Sequence, residues 1–449
     1  MNINDLIQTA TDKFKESGPE KELPQSLPLV ENFCKDRMAA DAFADLDVLF
    51  IQHHLGPFTS RLRAMCDYGL DTSKCWFIDI PYSTNKRVRQ ELVAMGFPES
   101  QMSRPFEDPI EPYSRRQRER VDYIIRLLAN QNNKRRLLVV DDGAYFIRTL
   151  RYLLPRNEDL VSDFGQRGTC VVEQTTRGLR YLQEQQYQEM LGSLRIPVVS
   201  IARTPTKHDL ESPFIGAAVS QAVVRIMTSG QWKDRNLGAV LVIGFGAVGR
   251  ETTKQLSALK HGGPIHVYDK QWESLKKDIE GMGAHVLQEF PREGPYDSVF
   301  GCTGYASFPV SEVGILSDNA ILVSGSSAAI EFNREEFIDL AYEFDDDDFY
   351  VIEPERTRSI GIRATIDMQK GSQRFSFISA GFPANFNGEL ECLPALIIQI
   401  THGLLLAASQ ETLGKAPGLH QLNRDDDQWL YRQGLYWIEQ YTKGSSIQG

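Results

Sequence analysis

Ala239-Val-Leu-Val-Ile-Gly-Phe-Gly-Ala-Val-Gly249 sets an apolar run directly before three glycines spaced G-x-G-x-x-G. The pattern predicts a strand, a tight turn and a helix start. Gly244 permits the turn, Gly246 lets backbone approach a pyrophosphate, and Gly249 lets the helix lie close to the sheet. The free N–H groups of Phe245, Ala247 and Val248 at such a helix start suit an anion. About 20 residues further on, Asp269 ends a second apolar run, Ile265-His-Val-Tyr268, where a ribose-binding carboxylate belongs. A carboxylate there accepts from a 2′-hydroxyl and repels a 2′-phosphate, which favours NAD over NADP.

Outward from this motif, short apolar runs alternate with helix-like sequence. Upstream they are Asp47–Ile51, Cys75–Ile78, Leu137–Val140, Cys170–Val172 and Pro197–Ile201; downstream they are Val240–Ile243, Ile265–Tyr268, His285–Leu287, Asp297–Phe300 and Ala320–Ser324. Alternation of this kind predicts an α/β fold with parallel sheets in two domains. The expected division is a substrate domain over residues 1–230, a Rossmann domain over 231–375, and a C-terminal helical segment over 376–449 that returns to the first domain. The apolar stretch Leu393–Ala408 reads as a buried helix of that segment, and the final residues from Lys443 read as frayed.

Composition narrows the function classes. A chain of 449 residues with 41% hydrophobic residues can build sizeable cores, and a net charge of -11 opposes nucleic acid as a main partner. Six cysteines without C-x-x-C pairs suit buried thiols in a reducing compartment. No apolar stretch approaches the ~20 residues that span a bilayer, and the expected location is cytoplasmic. The acidic runs Asp345–Asp348 and Asp425–Asp427 lack the glycine-spaced ligands of a cation loop, so no metal is expected. The basic clusters Arg115–Arg120 and Lys134–Arg136 read as solvated surface because acids dilute them.

In open α/β folds ligands lie beyond the carboxyl ends of the strands. That position singles out His53 and His54, Asp141-Asp142, Glu173-Gln-Thr-Thr176, and Thr206-Lys207 with Glu211. The order and spacing of these segments, together with Cys302-Thr-Gly304 and Leu316–Gly325, make the chain similar to the adenosylhomocysteinases, the NAD-containing enzymes that split S-adenosylhomocysteine. The likeness runs from about Asp47 to Ala408. It implies two domains that close by a hinge, with NAD as a regenerated catalyst: a ribose hydroxyl is oxidised, the neighbouring C–H is thereby acidified, a thiol is eliminated, water adds, and the hydride returns.

By this resemblance Lys207 and Glu211 correspond to a lysine–carboxylate pair at the 3′-hydroxyl, and Asp142 to an aspartate that serves C4′ deprotonation. His53 or His54 corresponds to a substrate-side histidine; His54 is assigned to catalysis and His53 to substrate binding. Thr175 and Thr176 correspond to threonines that reach NAD, and Thr303 and Gly304 join the cofactor set. Glu173, Gln174, Arg203 and Ser326 complete the expected substrate contacts.

The departures matter as much. Gln174 stands where the family has a ribose-gripping glutamate, Ala202 and Arg203 where it has asparagine, Ser326–Ala328 where it has histidine-phenylalanine-aspartate, and Phe386 where it has a second histidine. Tyr441 and Lys443 occur in the reverse of the family's order. The reading is therefore an NAD-dependent enzyme that oxidises a secondary alcohol, transiently or net, on a nucleoside-like or sugar-like small molecule. Two alternatives stand beside it: true S-adenosylhomocysteine hydrolysis, and an inactive NAD-binding homologue that serves a protein partner. A homo-oligomer, dimer or tetramer, is expected.

Overall fold

The computed structural model describes residues 2–17, 22–104, 111–132, 134–227, 236–259, 262–344, 349–352, 365–370, 373–386 and 388–444. The first sheet is built from β1 (Leu46–Gln52), β2 (Cys75–Asp79), β3 (Arg136–Asp141), β4 (Cys170–Glu173) and β5 (Pro197–Ser200). Its spatial order from one edge is β2-β1-β3-β4-β5, all parallel. These strands are buried along nearly their whole length, as continuous Val/Ile/Leu-rich runs require when helices cover both faces of a sheet.

The second sheet holds β6 (Val240–Ile243), β7 (Ile265–Tyr268), β8 (His285–Leu287), β9 (Tyr296–Gly301), β10 (Leu316–Ser324), β11 (Phe349–Ile352), β12 (Thr365–Lys370) and β13 (Gln373–Phe377). The parallel part has the order β8-β7-β6-β9-β10-β13, the doubly wound dinucleotide-binding arrangement, and β12 and β11 extend it antiparallel. The expected α/β, two-sheet architecture is therefore present. β13 crosses the expected boundary at residue 375, because Phe375–Phe377 pair with β10 and β12. The boundary expected at 230/231 and the run Asp345–Asp348 lie outside the described residues, as do residues 445–449.

After the second sheet the chain returns to the first. Helix Ala395–Thr412 packs on β4 and β5. The stretch read as helical also supplies β14 (Gly418–Gln421), which pairs parallel with β5 and completes a six-stranded sheet. Gly-Leu-His-Gln has too few apolar residues to announce a strand, and the open edge of β5 supplies its hydrogen-bond partners. The domains are joined by packing of helix Ser212–Met227 on helix Ala247–Ala258, where a Cβ on Gly216 would fall 2.8 Å from Val248 O. Tyr82 of the first domain accepts a hydrogen bond from Ala328 N of the second at 3.1 Å.

Not all of the basic cluster is solvated. Arg115 and Arg116 pair with Glu119 on an exposed face, but Arg120 turns inward to Asp79 and Ser103. Among the described residues no helix is long and apolar enough to cross a membrane, and no group of three metal-ligating side chains occurs.

Candidate active site

Strand order reverses once in each sheet, between β1 and β3 in the first and between β6 and β9 in the second. A crevice opens at such a switch point because the two flanking loops leave in opposite directions. The first crevice has His53 after β1 and Asp142 after β3; the second has Gly244–Gly249 after β6 and Cys302–Gly304 after β9.

In the second crevice each glycine meets a separate demand. Gly244 has φ +93°, and a Cβ there would lie 2.8 Å from Thr303 Cγ2; on Gly249 it would lie 1.9 Å from Gly244 O. A Cβ on Gly246 would meet nothing within 4 Å, so the start of helix Ala247–Ala258 opens onto free space with no side chain capping its N–H groups. Asp269 braces this turn: Oδ2 accepts from Phe245 N and Oδ1 from Gln271 N, both at 2.8 Å, so the Phe245 N–H, expected to be free for an anion, is already engaged and the N–H groups of Ala247 and Val248 remain for it. The opposite wall rests on Glu331, a residue that no motif announced. Its carboxylate accepts from Thr303 N (2.7 Å), Thr303 Oγ1 (2.8 Å) and Gly304 N (2.6 Å), and burial raises its pKa. These residues fit a dinucleotide: an uncapped helix start, an open glycine and an acid at the end of the second strand.

The first crevice deepens into a cleft of about 930 Å³ including its mouth, with walls from both domains: Gln52, His53, Asp142, Gln174, Thr175 and Glu211 face Gly325, Ser327, Asn385 and Phe386. His53 Nε2 lies 3.4 Å from Asp142 Oδ2, and its ring stacks on Phe386 with centroids 4.5 Å apart. The Ser83 hydroxyl donates to Ile80 O at 2.9 Å, so its oxygen is the acceptor for His53 Nδ1 at 2.7 Å. His53 Nδ1 thus carries the proton, and Nε2 turns its lone pair towards Asp142. Burial lowers the pKa of His53 and raises that of Asp142, which brings the proton affinities of the two groups towards each other.

On the same wall, behind Asp142, Lys207 Nζ lies 3.3 Å from Glu211 Oε2, which lines the cleft and also accepts from Thr401 Oγ1. The pair occupies a single π-helical turn, Lys207–Glu211, ahead of helix Ser212–Met227. Such turns are wider than α-helix and concentrate at functional sites.

Four expected contacts fall elsewhere. His54, assigned to catalysis, is turned into the core, where it stacks on Phe58 at 5.2 Å and burial pushes its pKa down to about 4. Adjacent positions after a strand point to opposite faces, so only His53 reaches the cleft. Glu173 is fully buried and its oxygens accept from Gly143 N, Ala144 N and Thr175 N at 3.2, 2.7 and 2.6 Å. It braces the loops rather than touching the cleft, and Gly178 leaves room for it, since a Cβ there would lie 2.2 Å from Glu173 Cδ. Arg203 is exposed and outside the cleft wall. Ser326 donates to Glu331 and accepts from Gly304 N, leaving Gly325 and Ser327 on the wall.

Thr175 lines the cleft and caps helix Thr176–Gln183 through Gly178 N at 2.9 Å, whereas Thr176 Oγ1 reaches Ala202 O at 3.5 Å. His402 and Thr401 also line the cleft, and no motif in the sequence marks them. They lie on the buried helix Ala395–Thr412, in an apolar run whose chemistry shows only when the helix reaches the cleft.

No protein-family model matches the chain. Two Mycobacterium tuberculosis proteins described as uncharacterized, from strains CDC 1551 / Oshkosh and H37Rv, are each 27% identical over 390 residues, which is 85% of this chain and 67% of theirs. Similar solved structures include CAD from Helicobacter pylori complexed with NADP(H), at 17% identity over 27% of this chain and 33% of that one with a TM-score of 0.22. L-tryptophan dehydrogenase from Nostoc punctiforme is 15% identical over 58% of this chain and 72% of that one, with a TM-score of 0.27. A D-lactate dehydrogenase from Treponema pallidum is 9% identical over 66% and 75%, with a TM-score of 0.32.

Proposed function

We propose that the protein is an NAD-dependent enzyme of the adenosylhomocysteinase type that oxidises, transiently or net, a secondary alcohol on a nucleoside-like or sugar-like substrate. The observation that carries the reading is the grouping of two proton-handling pairs, His53–Asp142 and Lys207–Glu211, on the first-domain side of one cleft that both domains wall, with His53, Asp142 and Glu211 lining it. The dinucleotide fits the uncapped start of helix Ala247–Ala258, and the acid at Asp269 favours NAD.

Bound NAD supplies a hydride acceptor. The Lys207–Glu211 pair takes the proton from the hydroxyl oxygen on the carbon being oxidised, and Glu211 is held for that task by Thr401. The His53–Asp142 pair exchanges a proton with the adjacent carbon once oxidation has acidified it. Phe386 and His53 form a flat wall suited to a ring, while Leu55, Pro57 and Phe58 shed water from it.

The test is incubation of the purified protein with NAD and a panel of nucleosides, sugars and thioethers, following reduced nicotinamide and products. Absence of turnover and of dinucleotide reduction across that panel would overturn the reading. Release of free homocysteine from S-adenosylhomocysteine, detected by thiol trapping, would narrow it to the hydrolase.

A further inference from the structure

Arg61, on helix Gly56–Asp67, is 1% exposed and lies over the rings of Phe50 and Phe58, its guanidinium carbon 5.9 and 5.1 Å from their centroids. Its Nε and Nη1 are buried without a hydrogen-bond partner, and its one polar contact among the described residues is Nη2 to Gln52 Oε1 at 3.1 Å. A buried cation without a counter-ion is costly. Arginine stays protonated at neutral pH, even though burial pushes this one down to about 9.

That single contact orients everything between Arg61 and the cleft. A guanidinium only donates, so the Gln52 atom against it is the carbonyl oxygen. Gln52 Nε2 then donates to Ile51 O at 3.3 Å and to Gln174 Oε1 at 3.1 Å. Ile51 O can only accept, which fixes the same orientation independently, and the Gln174 atom that faces the Gln52 donor is then its carbonyl oxygen. Gln174 lines the cleft, and with its oxygen engaged by Gln52 the polar group it has left for a ligand is Nε2, a donor. His402, whose Nδ1 is buried without a partner, lines the same cleft. Of the carboxylates there, Asp142 faces His53, Glu211 faces Lys207, and Glu391 sits at the end shared with a neighbouring cleft lined by Phe14 and Tyr441.

We infer that the Gln174 end of the cleft binds a carboxylate of the substrate, with Gln174 Nε2 as the direct contact and Arg61 as the positioning residue that sets the amide orientation through Gln52 and supplies the compensating charge. The substrate class is thereby narrowed, within the function proposed above, to an acid derivative of a nucleoside or sugar.

The experiment is calorimetric binding to the full chain, without dinucleotide, of two matched pairs: adenosine against adenosine-5′-carboxylic acid, and glucose against glucuronate. At least one acid is expected to bind about tenfold or more tightly than its neutral parent. Gln174→Glu keeps the acceptor for Gln52 Nε2 and should remove that preference by weakening the acid alone. Arg61→Lys should retain the preference and Arg61→Met abolish it; if Arg61→Met does not fold, the half-buried Gln174 variant still decides. Equal binding of acids and parents, an unchanged preference in Gln174→Glu, or no binding by any of the four compounds overturns the inference. Because no turnover is read, a carboxylate preference in a protein that never reduces NAD would remove the proposed function and leave this inference standing. Oxidation of neutral substrates without an acid preference would do the reverse.

Discussion

His53 Nε2 faces Asp142 Oδ2 at 3.4 Å with its lone pair directed at the carboxylate, because Nδ1 is committed to Ser83. Asp142→Asn leaves a donor in that place and keeps the geometry while ending proton exchange. Turnover is expected to fall about 10²–10⁴-fold with little change in dinucleotide affinity, measured by steady-state kinetics beside a binding titration. His53→Phe should be equally inactive, whereas His54→Phe, which extends the stack on Phe58, should keep activity and fold.

Lys207→Met removes the proton acceptor for the hydroxyl and leaves Glu211 buried beside Thr401. A loss of at least about 10²-fold in kcat is expected without a matching change in dinucleotide affinity. Single-turnover reduction of NAD reads the step directly, and normal reduction in this variant would remove Lys207 from the chemistry.

The glycines of the turn should separate stability from binding. Gly246→Val projects into open space, so melting should be nearly unchanged while NAD affinity falls. Gly249→Ala drives a Cβ to 1.9 Å from Gly244 O and is expected to cost about 1–3 kcal/mol or more of stability. Denaturant melts and NAD titrations of the two variants check both halves.

Asp269→Ala should weaken NAD and erase its advantage over NADP, since the same carboxylate that braces Phe245 N is the one placed to accept from a ribose hydroxyl. Binding of both cofactors to parent and variant is the measurement. A parent without preference would refute the role.

Asp141 supplies a pH signature. Burial beside Glu173 and Asp142 raises its pKa from 3.8 to about 7. The folded state therefore holds a proton that the unfolded chain releases at lower pH, so this contribution to stability is complete below pH 3.8 and is lost as pH rises through about 7. Asp141→Asn keeps an acceptor for Phe146 N and lacks the titration. Its melting temperature relative to the parent should climb between pH 5 and pH 8, and a constant difference would contradict the assignment.

Much of the architecture is legible in the chain because burial on both faces writes each parallel strand as a continuous apolar run, and because a glycine turn with a following acid is a local pattern. Gly244, Gly246, Gly249 and Asp269 therefore sit where their spacing placed them. What lies beyond local sequence was decided by packing. Which of His53 and His54 faces the cleft depends on how the loop leaves β1, and the role of Glu173 depends on the N–H groups that happen to converge on it from another loop. Glu331 and His402 carry no motif, since each gains its meaning from an element distant in sequence that the fold brings alongside. β14 depends on the free edge of β5, a property of the assembled sheet. Local pattern determined the glycine turn and its acid in the second sheet; the long-range packing of both domains around one cleft decided which side chains line it, because those contacts join residues far apart in the chain.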